Sequence, residues 1–204
     1  MKNHLRRVAA FVALGLGLSP TGVGAQTPEQ PNDAGHATEL GVSLGATVAP
    51  ETTTMAGGTI GWRVSPWAVI QARGTWYAEK LQVEGIGADV GATLNLLPMR
   101  RATPYGGAGF GLYRATVTTS GDVPAFYRSR LTVTNMSSGS QETFTDPAWR
   151  FSGGVDVVLH RSIRIRPEAT VILVHGKGTT RTITSLGVHL AYIFEDHPVT
   201  PATR

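Results

Sequence analysis

From Thr38 to Phe194 the chain alternates apolar residues with small or polar ones at a period of two, in eight runs divided by turn formers. Successive side chains of a strand point to opposite faces, so such a pattern commits the chain to sheet whose two faces meet unlike surroundings. The first run, 38–49, sets Leu40, Val42, Leu44, Ala46 and Val48 against Gly41, Ser43, Gly45 and Thr47. Further runs follow over 56–64, 67–78, 84–97, 103–114, 148–159, 163–175 and 182–194. The fifth, "TPYGGAGFGLYR", places Gly107, Gly109 and Gly111 at every second position. Neither the dinucleotide spacing G-x-G-x-x-G nor a phosphate loop ending in G-K-[ST] fits it, so these glycines belong to a strand.

The start "MKNHLRRVAAFVALGLGLSPTGVGA" has basic residues, a short apolar run and small residues ending at Ala25, the pattern of a secretory signal over 1–25. Its apolar run is shorter than the roughly 20 residues of a membrane helix. Residues 26–37 are polar and turn-rich and read as a flexible lead-in, with the folded part over 38–194 and a periplasmic tail over 195–204. Without the signal, 15 basic residues face 14 acidic ones, which removes the charge asymmetry that nucleic-acid binding requires. The chain has no cysteine, so stability must come from packing or from a membrane rather than from disulfides.

Lysine usage and energetics together decide which face is wet. Outside the signal the only lysines are Lys80 and Lys177, both between runs, whereas a water-facing strand surface ordinarily carries Lys and Glu. Arg73 and Arg166 lie well inside their runs. A lipid-facing Arg near the bilayer midplane costs about 2–4 kcal/mol, a large share of a stability of about 5–15 kcal/mol. The arginines therefore face inward, and the apolar residues face lipid. The expected fold is an all-β, eight-stranded antiparallel up-and-down transmembrane β-barrel. Most of its runs are long enough for tilted membrane strands, which need about 9–11 residues.

A lumen of that size holds only side chains. Arg63, Arg73, Arg150, Arg164 and Arg166 then require partners, for which Asp89, Asp156 and Glu168 are the candidates, and an ion-pair network across the lumen is predicted. Gly107, Gly109 and Gly111, with Gly87 and Gly91 on the neighbouring strand, either make room for long Arg and Tyr side chains or relieve strain where a small barrel bends. Connections after strands two, four and six read as brief, and the one after strand five, 118–147, as long. Trp67, Tyr105, Tyr192 and Phe194 are expected at the periplasmic rim, and Trp76 and Trp149 at the outer one.

With the signal, "PYGGAGFGLYR", "FSGGVDVVL" followed by "IRIRPEATV", and a last strand ending "LAYIF", the chain resembles the OmpA/OmpX-like outer-membrane β-barrel domain family of Gram-negative bacteria. The resemblance implies residence in the cell outer membrane among lipid and lipopolysaccharide. It also implies insertion by the barrel-assembly machinery, which reads Leu190, Tyr192 and Phe194 of the last strand.

Ser185, His189 and Glu168 share the inward face of the last two strands, but four residues of strand separate Ser185 from His189 by about 13 Å, too far for a nucleophile and its base. The histidines show no metal-ligand spacing, and no cofactor site is expected. Asn135-Met136-Ser137 fits a glycosylation pattern only by coincidence in a bacterial envelope protein. The expectation is a monomeric, non-enzymatic barrel with a plugged lumen and a structural or surface-interaction role, with an extracellular partner for loop 118–147. The alternatives are a narrow pore or small-molecule conduit, and a soluble periplasmic binding barrel.

Overall fold

The computed structural model describes residues 37–97, 101–119, 123–131, 140–160 and 162–195. The signal, the lead-in up to residue 36, the Asn135-Met136-Ser137 pattern and the tail beyond Glu195 lie outside them. Eight strands follow in order: β1 (Ala37–Ala49), β2 (Thr54–Ser65), β3 (Ala68–Lys80), β4 (Val83–Asn95), β5 (Ala102–Thr118), β6 (Gln141–His160), β7 (Ile163–Gly176) and β8 (Thr179–Glu195). One short helix, α1 (Ala125–Arg128), sits in the β5–β6 connection. Each strand pairs antiparallel with the next, and β1 pairs with β8 to close the barrel. Closure leaves no edge, the one sheet arrangement that satisfies every backbone group in a bilayer.

The connections differ in part from the sequence reading. The β3–β4 and β7–β8 links are as short as those after β2 and β6, so the loop after β5 alone carries the asymmetry. That loop is also shorter than expected, because β5 continues to Thr118 and β6 begins at Gln141.

Along the lower part of the barrel, nearer the chain ends, the outward face carries the apolar residues. Leu40, Val42, Leu44, Ile60, Val90, Leu94, Phe110 and Leu190 are all exposed there. Trp67, Trp76, Trp149, Tyr192 and Phe194 are exposed as well, and the Phe110 ring packs tilted against Trp149 with centres 4.8 Å apart. Toward the loop end the two faces exchange character. Outward positions become Thr54, Lys80, Glu84, Arg114, Thr116, Thr143, Thr145 and Thr182. Inward ones become Met55, Tyr77, Val83, Tyr113, Ala115, Val117, Ala148, Val174 and Ile183, which form one buried apolar cluster. The register holds the exchange to within about one rung, with Trp76 opposite Ile86, Ile86 opposite Arg114 and Leu112 opposite Pro147. Below it the outward apolar runs, such as 86–96 on β4 and 163–173 on β7, match the about 9–11 residues of a membrane strand.

Candidate functional site

The lumen is filled in three layers. In the lowest, Glu39 of β1 is 1% exposed and accepts hydrogen bonds from both terminal nitrogens of Arg166 on β7, with Nη2 to Oε2 at 2.9 Å. Arg63 of β2 approaches the same carboxylate at 3.7 Å. Asp156 of β6 receives Arg164 Nη1 at 2.9 Å and Arg166 Nη2 at 3.2 Å. Three guanidinium groups thus share two carboxylates, the compensation that a low-dielectric interior demands of buried charge.

In the middle layer Arg73 of β3 reaches across the lumen to Glu168 of β7, with Nη1 to Oε1 at 2.5 Å and Nη2 to Oε2 at 3.2 Å. Tyr105 and Thr170 donate to the same carboxylate at 2.9 and 3.0 Å. Arg150 Nε donates to Asp89 at 2.8 Å and its Nη1 to Ser152 at 3.0 Å. His189 Nε2 lies 2.9 Å from Thr59 Oγ1.

The upper layer is the apolar cluster, stoppered from the loop by Tyr127 of α1, which is wholly buried. Arg130, just after the helix, pairs with Asp146 through two hydrogen bonds of 2.5 and 2.8 Å. Its guanidinium lies 4.4 Å from the Phe144 ring centre. Arg181 lies 4.9 Å over the Tyr127 ring and donates to Glu51 at 2.6 Å. Burial pushes the Tyr127 phenol above its ordinary value, so it stays neutral at physiological pH.

The structure brings Arg73 together with Glu168, Arg150 with Asp89, and both Arg164 and Arg166 with Asp156, while Arg63 meets Glu39. Glu39 is missing from the sequence reading, although it shares the face of Gly41 and Ser43. Tyr105 is a correction. It is 5% exposed and points into the lumen rather than standing at the rim, as two-residue counting back from Gly107 requires.

The two explanations of the glycines apply at different rungs. A Cβ on Gly109 would lie 2.8 Å from Asp89 Oδ1 and 3.2 Å from Arg150 Nη2, so that glycine makes room for the ion pair. A Cβ on Gly111 would lie 1.9 Å from the Ala88 carbonyl oxygen, so there it is the backbones that approach closely.

A cavity of about 30 Å³ in the middle layer is lined by Arg73, Asp89, Glu168, Ser185 and His189 among others. A second, also about 30 Å³, lies under the mouth beside Glu51, Tyr113 and Arg181. Each holds about one water. Ser185, His189 and Glu168 thus share a wall of one cavity, but the imidazole is engaged with Thr59. Among the described residues no cluster of His, Asp and Glu has the makings of a metal site.

A family model described as "Outer membrane protein beta-barrel domain" matches residues 9–194. Among solved structures, the N-terminal β-barrel domain of Pseudomonas aeruginosa OprF is similar at 15% identity and a TM-score of 0.53, covering 78% of this chain and all of that one. Neisserial surface protein A is similar at 13% identity and a TM-score of 0.56, over 77% of this chain and 96% of that one. At these identities the likeness concerns the fold. A search of curated proteins finds no match.

Proposed function

Because the chain belongs to the outer membrane protein β-barrel domain family, and so resides in the outer membrane, we propose that it is a non-enzymatic barrel closed by its own side chains, presenting its loop end outside the cell. An even-stranded meander puts both chain ends on one side, the periplasm, and the long β5–β6 loop on the other. The observation that carries the reading is the filling of the lumen among the described residues: ionic layers below, an apolar layer above, and cavities of about 30 Å³ in the middle layer and under the mouth. No lipid substrate enters a space of that size, which supports the absence of catalysis at Ser185 and His189. The loop end is then the part available to an extracellular partner. Insertion by the barrel-assembly machinery through Leu190, Tyr192 and Phe194, all on the outward face of β8, and a monomeric state complete the reading.

Conductance of the refolded protein in planar bilayers tests it. A closed lumen gives almost none, and Arg73→Ala or Glu168→Ala raises leakage by opening the middle layer. Steady channel openings by the unmodified protein would overturn the plug. They would favour a second reading, a narrow conduit. One observation supports that reading: Arg73 Nε and Arg150 Nη2 are buried without a protein acceptor, beside the middle cavity.

A further inference from the structure

The charges of the lowest lumen layer form a line that alternates in sign. Arg63 meets Glu39, Glu39 is held by Arg166, Arg166 also reaches Asp156, and Asp156 receives Arg164. Each carboxylate has two guanidinium neighbours, but the line ends on a cation at both sides. Among the described residues the layer therefore keeps one positive charge in excess.

The two ends differ from the middle in access. The side chains of Arg63 and Arg164 are 15% and 21% exposed, against 6% for Arg166 and 2% or less for the carboxylates. Arg63 is held most loosely. Its 3.7 Å approach to Glu39 is beyond hydrogen-bond length, because Arg166 already engages both oxygens of that carboxylate. Arg164 is held through Nη1 alone.

The line also turns back on itself. Only β8 and β1 separate β7 from β2, and of the charges around Arg63 that of Arg164 acts on it most strongly, ahead of Glu39. The exposed Arg101 adds to the same field, since its carbonyl accepts the Val158 N–H at 2.8 Å and Val158 pairs with Arg164. Like charges held close away from bulk water repel unless an anion lies between them. The planar fork of a guanidinium matches the paired oxygens of a carboxylate or phosphate.

We infer that the chain-end mouth of the lumen is a binding site for one oxyanion group, a carboxylate or a phosphate, bridged between Arg63 and Arg164. It closes the line into a ring of three cations and three anions. The inference goes beyond the proposed function and rests on it only for the compartment, the periplasm, because binding in micelles is independent of orientation.

Arginine side-chain NMR of the refolded barrel in neutral micelles tests it. The Nε–Hε signals of Arg63 and Arg164 are followed as inorganic phosphate, succinate or chloride is added at an ionic strength held constant with sodium fluoride. Phosphate and succinate are expected to shift both signals saturably, and chloride, which has no paired oxygens, to bind several-fold more weakly. Arg63→Gln and Arg164→Gln, each read on the remaining signal, weaken phosphate about tenfold, the scale of one charge-assisted hydrogen bond. Arg114→Gln, which removes an exposed guanidinium at the other end, leaves it unchanged. Phosphate also raises the urea midpoint of the unmodified barrel by more than that of Arg63→Gln, because only the folded state assembles the pair. Heat-modifiable migration on gels establishes that each variant is folded. Absence of a saturable shift, equal affinity for chloride, or a loss in Arg114→Gln as large as in Arg63→Gln overturns the proposal. Glu195 pairs through its backbone with Ala37, the partner of Arg63, so Glu195→Gln is the remaining control. Phosphate binding that emerges only in that variant assigns the missing negative charge to the chain itself and overturns the proposal as well. Orientation is read separately, by labelling Thr143→Cys on intact cells with an impermeant maleimide. Absence of labelling overturns the periplasmic placement while the binding result stands.

Discussion

Glu39 is the residue on which the lowest layer turns, because its single carboxylate faces Arg166 and Arg63 at once. Removing one partner of a buried ion pair costs about 3–5 kcal/mol, whereas replacing both by apolar groups of similar size is often close to neutral. Glu39→Ala is therefore expected to lower the urea midpoint of the refolded barrel sharply, and Glu39→Met with Arg166→Met to recover most of the loss. Equal losses in the two would mean that the pair contributes through shape alone. Gly41→Ala should be nearly as damaging, since its Cβ would lie 1.8 Å from His189 Nε2. At this scale much was legible. The cost of an outward Arg fixes where Arg73 and Arg166 point, and parity places the carboxylates on the same side. Partner choice was not legible, because Arg73 and Glu168 meet across the lumen from β3 and β7, and only barrel closure sets which rungs coincide. Tyr105 went astray because an aromatic near a strand end satisfies the girdle rule, and parity is the stronger of the two constraints.

Among the elements, β5 and β6 exceed their sequence-read lengths for an identifiable reason. A strand followed by its outward apolar residues is lost where those residues turn inward, and Tyr113, Ala115 and Val117 turn inward beyond Leu112. The period continues while its phase inverts. Strand ends read from a single phase therefore mark the edge of the membrane rather than the end of the strand. The helix α1, short and without a side-chain cap, could not be read from periodicity at all. Its place depends on Tyr127 filling a cluster contributed by other strands. Tyr127→Ala is expected to loosen the mouth, measured as faster tryptic cleavage at Arg128 and Arg130. The pH dependence has a definite sign. Burial raises the phenol's pKa, so the closed mouth keeps its stability below the free phenol's value of about 10 and loses it as pH rises past that. The mobility of a spin label at the exposed Ser129 should increase above that pH, and Tyr127→Phe, which cannot ionise at that ring, should show a smaller increase. At the other end of the chain, Tyr192 and Phe194 meet edge to face with ring centres 4.8 Å apart on the outer face of β8. If the assembly machinery reads them, Tyr192→Ala with Phe194→Ala reduces the amount recovered in the outer-membrane fraction while leaving refolding in detergent largely intact.

For the whole molecule, the exchange of faces means that one closed sheet is two kinds of protein stacked end to end. The lower storey has lipid outside and charge within, and the upper has polar groups outside and an apolar core like that of a soluble domain. Neither arrangement suits the other's solvent, since an outward Arg114 costs about 2–4 kcal/mol at the membrane midplane and outward Leu112 gains nothing from water. The barrel's depth in the bilayer is thereby fixed to within about one rung. A spin-label walk along the outward side of β5 measures it. Labels at Ala108, Phe110 and Leu112 should be relaxed by oxygen dissolved in lipid, and labels at Thr116 and Thr118 by a water-borne nickel complex, with the crossover at Arg114. Val90 and Val157, in the lower storey of β4 and β6, should follow Phe110. A soluble binding barrel would give the opposite pattern, with every outward label open to the nickel complex. A crossover displaced by two or more rungs would mean that the apolar upper layer lies within the bilayer, and the two-storey arrangement would not stand.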